Sequence, residues 1–301
     1  MRVLRLALVG AMAGIGAGCT PPGTDEGLGL QQFVERKRQA DPEGSGPSGE
    51  SLARTYTRQQ GGRFDYDISR PGTPVVGVKF GSVFGSPKPI TDAALAHLGE
   101  LTELQSLTLH ETKVTDEGLK PIEGLDRLEA LSVVWSPITD AGLRYVKGLT
   151  RLRSLELSNT QITDDGLLEL SGLTNLETLY LTSTRITGRG LACVKGMANL
   201  QMLFLERTDI DDASLVHLKD LPGLRVLNLS GTKITDEGLA HLSGLISLKS
   251  LGLSNTRITD AGLDHLKGLV ELEIVTLGGT AVSEPGVRAL HEALPSLRIE
   301  R

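Results

Sequence analysis

The chain has 301 residues, a formal net charge of -6 and 36 glycines, and only 3% of its residues are aromatic. An apolar core in such a chain has to be built from leucine, isoleucine and valine. The mildly acidic balance, without a run of lysine or arginine, excludes the electrostatic footprint of a nucleic-acid-binding protein. The only two cysteines, Cys19 and Cys193, provide no disulfide framework.

Residues 1–19 have the composition of an export signal. Arg2 and Arg5 precede the apolar residues 6–17, which are followed by Gly18 and Cys19. This apolar stretch is too short to span a bilayer. The tetrapeptide Gly-Ala-Gly-Cys at 16–19 resembles the lipobox of bacterial lipoproteins, in which signal peptidase II cleaves before a lipidated cysteine. The resemblance implies lipid attachment at Cys19, and the alternative is ordinary signal cleavage that leaves Cys19 as a free thiol.

Residues 20–63 are interpreted as a flexible tether. The segment Asp-Pro-Glu-Gly-Ser-Gly-Pro-Ser-Gly at 41–49 is too polar and too interrupted to pack. A flexible chain of about 44 residues has a root-mean-square reach of about 35 to 40 Å, enough to hold a folded domain clear of a membrane. Residues 64–82 are predicted to form an amino-terminal cap, in which Pro74–Phe80 is a strand that covers the first repeat.

Residues 83–301 are predicted to form a repeat array with a divergent carboxy-terminal helix, Glu284–Leu294, as its cap. Two apolar positions recur every 24 residues, which is the property expected of stacked repeats. The first position holds Leu107, Leu131, Leu155, Leu179, Leu203, Leu227, Leu251 and Val275. The second holds Val114, Ile138, Ile162, Ile186, Ile210, Ile234, Ile258 and Val282.

Each repeat predicts a strand, a turn and a short helix. Apolar and polar residues alternate in Leu104–Leu109, which is the period of a strand. Thr115 suits the N-cap of the helix that follows, and Asp116 and Glu117 place negative charge at the positive end of its dipole. Gly124 is able to adopt a positive φ at the helix end. Stacked units of this kind place their strands in one parallel sheet on the concave side of a curved solenoid.

The pattern L-x-x-L-x-L-x-x-T-x-[VI]-T-D-x-G-L-x-x-L-x-G-L resembles the leucine-rich-repeat family, in particular the cysteine-containing subtype of F-box proteins and the arrays of bacterial exported lipoproteins. The resemblance implies an α/β fold, a curved horseshoe with a parallel β-sheet on the concave face and short helices on the convex face. Where those relatives place asparagine or cysteine after the strand, this chain has hydroxyls. We expect them to satisfy the turn backbone from repeat to repeat. They are Thr112, Ser136, Thr160, Thr184, Thr208, Thr232, Thr256 and Thr280.

The sequence contains no phosphate-cradling loop, HExxH, CxxC or nucleophile-elbow pattern, so we predict no catalytic residue and no cofactor. His217, His241 and His265 share one repeat position with His97, and stacked imidazoles suit a metal. The same position holds proline, tyrosine, glutamate and cysteine in other repeats, which favours a tolerant helix surface, so no metal site is predicted. The carboxylates Asp164, Asp165, Asp209, Asp211 and Asp212 lack calcium-loop spacing, and the helix dipole explains acidic residues at helix starts.

The predicted binding site lies in the first half of the concave face. Tyr180 and Phe204 occupy the same position on adjacent strands, about 4.8 Å apart, and Trp135 lies at a strand end two repeats away. Exposed together, these rings would form an apolar patch of binding size, and the alternative is that another part of the chain covers them. Charged residues would form its rim. The predicted ligand-binding residues are Val134, Trp135, Glu156, Tyr180, Met202, Phe204, Glu206 and Arg207.

These features favour a non-enzymatic module that binds an unidentified protein or peptide through its concave face. The export signal and Cys19 place it in the bacterial cell envelope, as a membrane-anchored lipoprotein on the periplasmic or outer surface. The alternative is a substrate-recognition adaptor in protein turnover, similar to F-box leucine-rich-repeat receptors, although the export signal and the polar residues 20–63 argue against it. A hydrolase acting on envelope polymers has no sequence support beyond location.

Overall fold

Eleven strands of the described residues form one sheet whose strand order follows the sequence. The computed structural model describes residues 49–81 and 89–301, so the predicted signal peptide, Cys19 and most of the predicted tether lie outside the described residues. β1 (Arg63–Tyr66) is antiparallel to β2 (Val75–Gly81), and every later pairing is parallel. The repeat strands are β3 (Ser106–His110), β4 (Ala130–Val134), β5 (Ser154–Glu156), β6 (Thr178–Tyr180), β7 (Met202–Phe204), β8 (Val226–Asn228), β9 (Ser250–Gly252), β10 (Ile274–Thr276) and β11 (Arg298–Glu300).

Short helices connect the strands on the opposite side. The α-helices are α1 (Gly49–Gln59), α2 (Asp140–Leu143), α3 (Asp164–Leu168), α4 (Gly188–Leu191), α5 (Asp236–Leu239), α6 (Asp260–Leu263) and α7 (Glu284–Ala293). The 3-10 helices are Asp92–Leu95, Leu98–Glu100, Asp116–Ile122, Glu169–Gly172, Ala192–Gly196, Asp212–Leu218, Ala240–Leu242 and Asp264–Leu266. The predicted terminal helix is confirmed as α7. Among residues 49–81 and 89–301, no helix combines the length and apolar character needed to cross a bilayer.

The two apolar positions that recur every 24 residues form the core of the solenoid. All sixteen side chains are at most 5% exposed, and the register sets Leu131 beside Leu155 and Leu155 beside Leu179. Burying a leucine or isoleucine side chain stabilises the fold by about 1.5 to 3 kcal/mol. The predicted solenoid with its parallel sheet is confirmed, and its stability comes from this repeated packing.

The folded unit begins earlier than the predicted cap. α1 lies inside the segment interpreted as a tether, and its residues Ala53 and Thr57 are fully buried. These two residues are four positions apart, so they lie on one face of the helix. Tyr56 packs the edge of its ring against His97, with ring centroids 4.6 Å apart. The boundary of the predicted tether at residue 63 is therefore wrong. The sequence did not reveal α1 because small and hydroxyl side chains form its buried face.

The recurring hydroxyls are structural, as predicted, but most of them act within one repeat. Thr160 Oγ1 donates to the Leu157 carbonyl at 2.6 Å, and Thr184 Oγ1 donates to the Leu181 carbonyl at the same distance. The same bond recurs in the four later repeats. Thr112 and Ser136 instead pair across two repeats, with their oxygens 2.7 Å apart.

An aspartate at most helix starts links one repeat to the next. Asp140 Oδ1 accepts from the Thr163 backbone N–H at 2.7 Å, and Asp140 Oδ2 accepts from Thr163 Oγ1 at 2.6 Å. We call this pair of bonds the aspartate bracket. It recurs between Asp92 and Thr115, Asp116 and Thr139, Asp164 and Thr187, Asp212 and Thr235, Asp236 and Thr259, and Asp260 and Ser283.

The bracket corrects two details of the predicted helix start. Thr115 does occupy the N-cap, but its hydroxyl donates to Asp92 rather than accepting from the helix. Asp164 and Asp212 are held by the next repeat and not only by the helix dipole. Gly124 has no positive φ, because the 3-10 helix before it ends in a right-handed residue and continues into a tight turn.

Candidate functional site

The outward-facing residues of the sheet form parallel rows, because the register pairs residues 24 apart on neighbouring strands. The central row crosses β4 to β9. Six residues, and no lysine or arginine, make up this row: Ser132, Glu156, Tyr180, Phe204, Asn228 and Gly252. Five of the predicted site residues therefore lie in this row or beside it on the same strands. Glu156, Tyr180 and Phe204 are in the row, Met202 is two positions before Phe204, and Val134 is two positions after Ser132.

Tyr180 and Phe204 stack face to face in the central row. Their ring centroids are 4.4 Å apart and their planes differ by 6°. Tyr180 is half-buried, whereas Phe204 is only 2% exposed and Val134 only 6%. The expectation that both rings are exposed is wrong for Phe204, because Tyr180 covers it on one side and Asn228 is its neighbour on the other. Phe204 thus supports Tyr180 instead of offering its own surface.

Glu206 is the most constrained carboxylate of this face. Its Oε1 accepts from Asn228 Nδ2 at 2.7 Å, and its Oε2 accepts from Thr182 Oγ1 at 3.0 Å. Burial raises the pKa of Glu206 above its ordinary value, and these hydrogen bonds and the charge of Arg207 only partly oppose that effect. Both oxygens are occupied, so Glu206 holds neighbouring strands together and has little capacity left for a ligand.

Glu156, unlike Glu206, has one carboxylate oxygen that can still accept a hydrogen bond. Ser132 Oγ donates to Glu156 Oε2 at 2.7 Å, and the described residues supply no hydrogen bond to Oε1. Burial raises the pKa of Tyr180, and the negative charge of Glu156 on the adjacent strand adds to that effect. Tyr180 therefore stays protonated at neutral pH, beside a carboxylate with one unoccupied oxygen.

A residue with left-handed backbone conformation follows each repeat strand, and sequence reasoning missed this series. We call it the rim series: Glu111, Trp135, Asn159, Ser183, Arg207, Gly231, Asn255 and Gly279, with φ from 51° to 72°. Glycine and asparagine adopt this conformation most readily, so their recurrence was the available clue. The backbone N–H of Trp135 donates to the Ser158 carbonyl of the next repeat at 3.3 Å, and later members repeat this bond.

Trp135 and Arg207, two predicted site residues, are exposed members of the rim series. Trp135 is 52% exposed and contacts no other aromatic ring of the described residues. Two strand spacings and three residues separate it from Tyr180, which corresponds to about 14 Å. The structure therefore brings Tyr180 and Phe204 together and leaves Trp135 as a separate aromatic group at the edge.

Away from the concave rows, a groove of about 480 Å³ lies beside the amino-terminal ends of the strands. It is lined by Glu129, Arg151, Arg153, Asn175, Glu177 and Asn199. No group of three or more histidine, cysteine, aspartate or glutamate side chains in residues 49–81 and 89–301 is placed to hold a metal ion. Cys193 is buried, and burial raises the pKa of its thiol to about 12.

Comparison with known families supports the assignment of these repeats. The model of the family "Leucine rich repeat" matches residues 174–234, and the model "Leucine Rich repeats (2 copies)" matches residues 150–188. The matched ranges include the strands that carry Glu156, Tyr180 and Phe204. The repeats are leucine-rich repeats, and the fold is a leucine-rich-repeat solenoid.

The chain is similar to solved structures from a bacterium and from a plant. Internalin C2 from Listeria monocytogenes is 28% identical, with 70% of this chain and 83% of that chain covered and a TM-score of 0.55. An internalin, inlF, from the same bacterium is 16% identical, covering 83% and 94% with a TM-score of 0.31. The plant peptide hormone receptor RGFR1 in complex with RGF2 is 17% identical, covering 67% and 36% with a TM-score of 0.46. A comparison with curated proteins finds no match.

Proposed function

We propose that this chain is a non-enzymatic module that binds a protein or peptide through its concave face. Residues 1–19 act as its signal peptide, and residues 20–48 tether it to the bacterial envelope through a lipid at Cys19. The leucine-rich-repeat fold and the similarity to internalin C2 favour a binding scaffold. The predicted ligand-binding residues remain the proposed contact set, with Tyr180 and Trp135 as the exposed anchors and with Phe204 and Val134 as buried support.

The observation that carries the proposal is the placement of Trp135. A bulky residue in the left-handed region costs about 1 to 2 kcal/mol relative to the right-handed conformation. Tryptophan buries about 150 to 250 Å² when a partner covers it, and it is enriched among the residues that dominate binding energy. Trp135 is instead about half exposed. Asn159 and Asn255 adopt the same left-handed conformation at the equivalent position of other repeats, so the backbone does not require a tryptophan there. A contact outside the chain explains that choice best.

The remaining site residues suit the surroundings of such an anchor. Half-buried Met202 and Tyr180 provide apolar surface, and Glu156, Glu206 and exposed Arg207 provide the charged border that is common at interface rims. Only part of this set is exposed, so the contact area comes from the rim and the outer parts of Tyr180 and Met202. A peptide or a protein loop fits a surface of this kind better than a flat protein face.

Affinity capture tests the binding function. The full chain and two variants, Trp135→Asn and Tyr180→Ser, are used to capture proteins from envelope extract. Both variants carry residues that other repeats hold at the same positions, Asn159 and Ser132, so the fold is preserved. We expect one or more proteins to be captured by the native chain and lost with both variants.

The matched control is Val270→Ser, which changes a side chain that is 72% exposed and lies outside the concave rows. This variant should capture the same proteins as the native chain. If Trp135→Asn and Tyr180→Ser also capture that same set, the concave site is refuted.

Membrane tethering needs a separate test. Cys19→Ser should move the protein from the membrane fraction to the soluble envelope fraction and abolish incorporation of a labelled fatty acid. A membrane fraction unchanged by this substitution would contradict the lipid anchor, while leaving the binding function open to the capture experiment.

A further inference from the structure

Glu156 and Tyr180 are neighbours on the concave face, and the described residues leave one oxygen of Glu156 and one face of the Tyr180 ring without a partner. They are register partners on adjacent parallel strands, about 4.8 Å apart along the row. The Tyr180 ring stacks on Phe204 with a centroid distance of 4.4 Å, close to the strand spacing, and the planes are nearly parallel. The normal of the Tyr180 ring therefore points along the row, and its second face is turned toward β5 and Glu156.

The charge of this part of the face is one-sided. The outward rows of β4 to β9 contain two carboxylates, Glu156 and Glu206, and no lysine or arginine. Glu206 is occupied through both oxygens, whereas Glu156 accepts one bond from Ser132 and is half-buried. A carboxylate that is partly removed from water and lacks a cationic partner is incompletely compensated within residues 49–81 and 89–301.

We propose that Glu156 and the free face of Tyr180 form a subsite for one cationic side chain, an arginine or a lysine, of the bound peptide. This inference rests on the proposed function and names the chemistry of its ligand. The cation pairs with Glu156 Oε1 while its plane or methylene stem lies over the Tyr180 ring. Phe204 and Ser132 are positioning residues, since the first holds the ring and the second orients the carboxylate.

The two parts of the subsite reinforce each other. A cation within about 6 Å of an aromatic centroid is attracted by the ring, and the attraction strengthens when water is partly excluded. A charge-assisted hydrogen bond to a carboxylate adds direction, and arginine adds bidentate geometry. The subsite selects for positive charge and against glutamate or aspartate, because an anion would meet Glu156 and Glu206 without compensation.

Titration by NMR tests the subsite on the full chain. The probes are the acetylated, amidated tripeptide with arginine between two glycines and the same tripeptide with citrulline, which is a neutral isostere of arginine. The readout is the ring signals of tyrosine, of which the chain has four, with Tyr180 assigned from Tyr180→Phe. We expect the arginine peptide to shift the Tyr180 signals saturably, with an affinity about tenfold above that of the citrulline peptide.

Two variants separate charge from fold. Glu156→Gln should lower the affinity for the arginine peptide about tenfold and leave that for the citrulline peptide unchanged. Glu237→Gln, an exposed glutamate on α5, is the matched control and should leave both affinities unchanged. Equal affinity for the two peptides, no saturable shift, or indifference to Glu156→Gln would each overturn the subsite.

The capture experiment distinguishes this inference from the proposed function. Capture that is lost with Trp135→Asn but unchanged with Glu156→Gln would retain the binding module and reject the cationic subsite. Selective arginine binding without any captured envelope protein would retain the subsite and reject the envelope-binding function.

Discussion

One pair of neighbouring repeats lacks the aspartate bracket, and restoring the bracket gives a quantitative test of what holds the repeats together. Gly188 stands where the bracketed repeats have aspartate, and Asp211 stands where they have threonine or serine. In the bracketed repeats a glycine stands three residues after this threonine or serine, and Ser214 takes the place of that glycine here. That glycine is otherwise required, because a Cβ at Gly166 would lie 2.2 Å from Asp140 Oδ1. Gly188, Asp211 and Ser214 therefore depend on one another, since a serine at residue 214 leaves no room for an aspartate at residue 188.

Gly188→Asp alone should destabilise the chain. A Cβ at residue 188 would lie 2.5 Å from Ser214 Oγ, and the new carboxylate would face Asp211. The combination of Gly188→Asp with Asp211→Thr and Ser214→Gly should instead form a bracket like that of Asp140. Two hydrogen bonds to a carboxylate are worth about 1.5 to 3 kcal/mol each before solvent screening, and the lost Asp211–Ser214 capping box costs about 1 kcal/mol.

The net expectation is a triple variant that is about 1 kcal/mol more stable than the native chain, and a single variant that is about 1 to 2 kcal/mol less stable. Because Asp211→Thr with Ser214→Gly alone loses the capping box, the coupling between Gly188→Asp and the other two changes should be about 3 to 4 kcal/mol. Urea unfolding followed by circular dichroism measures all four members of this cycle. Additive effects, with a coupling below about 0.5 kcal/mol, would show that the bracket does not stabilise the stack.

Gly231→Val should lower the free energy of unfolding by at least about 1 kcal/mol more than Gly231→Asn in urea titrations, because asparagine tolerates the φ of 70° and a β-branched residue does not. The pKa of Glu206 is raised above its ordinary 4.5, so the native chain should lose stability relative to Glu206→Gln as the pH rises from 4.5 through the folded pKa; a constant difference across that range would contradict the burial of this carboxylate. Cys193 should not react with a disulfide reagent at pH 8 in the folded chain and should react after unfolding, because the thiol is buried and its pKa is about 12. A rapid reaction in the folded chain that disappears in Cys193→Ser would contradict this prediction.

The repeat period made the sheet and its core predictable. A two-residue alternation repeated every 24 residues defines which side chains face inward, so Leu107 and Ile138 were identified as core without further information. The stack of Tyr180 and Phe204 followed from the same register. The period also identified α7, because its divergence marks the end of the array.

The features that sequence reasoning missed depend on contacts between repeats. A bond such as that from Thr163 to Asp140 joins residues 23 positions apart, and an aspartate at a helix start has a sufficient local explanation in the dipole. The burial of Phe204 depends on neighbours from two other strands. α1 was overlooked because Ala53 and Thr57 carry little apolar surface, and a buried face made of such residues resembles a polar linker.

Photo-crosslinking in cells detects directly whether the concave side binds a partner. A benzoyl-phenylalanine residue is placed at Asn159 or Ser183, the rim positions beside Trp135 and the aromatic stack, and at Glu237 or His265 on the helical side. We expect a discrete crosslinked adduct from the two rim positions, which is lost when Trp135→Asn is added, and no adduct from the helical positions. Adducts from the helical positions alone would contradict binding through the concave side.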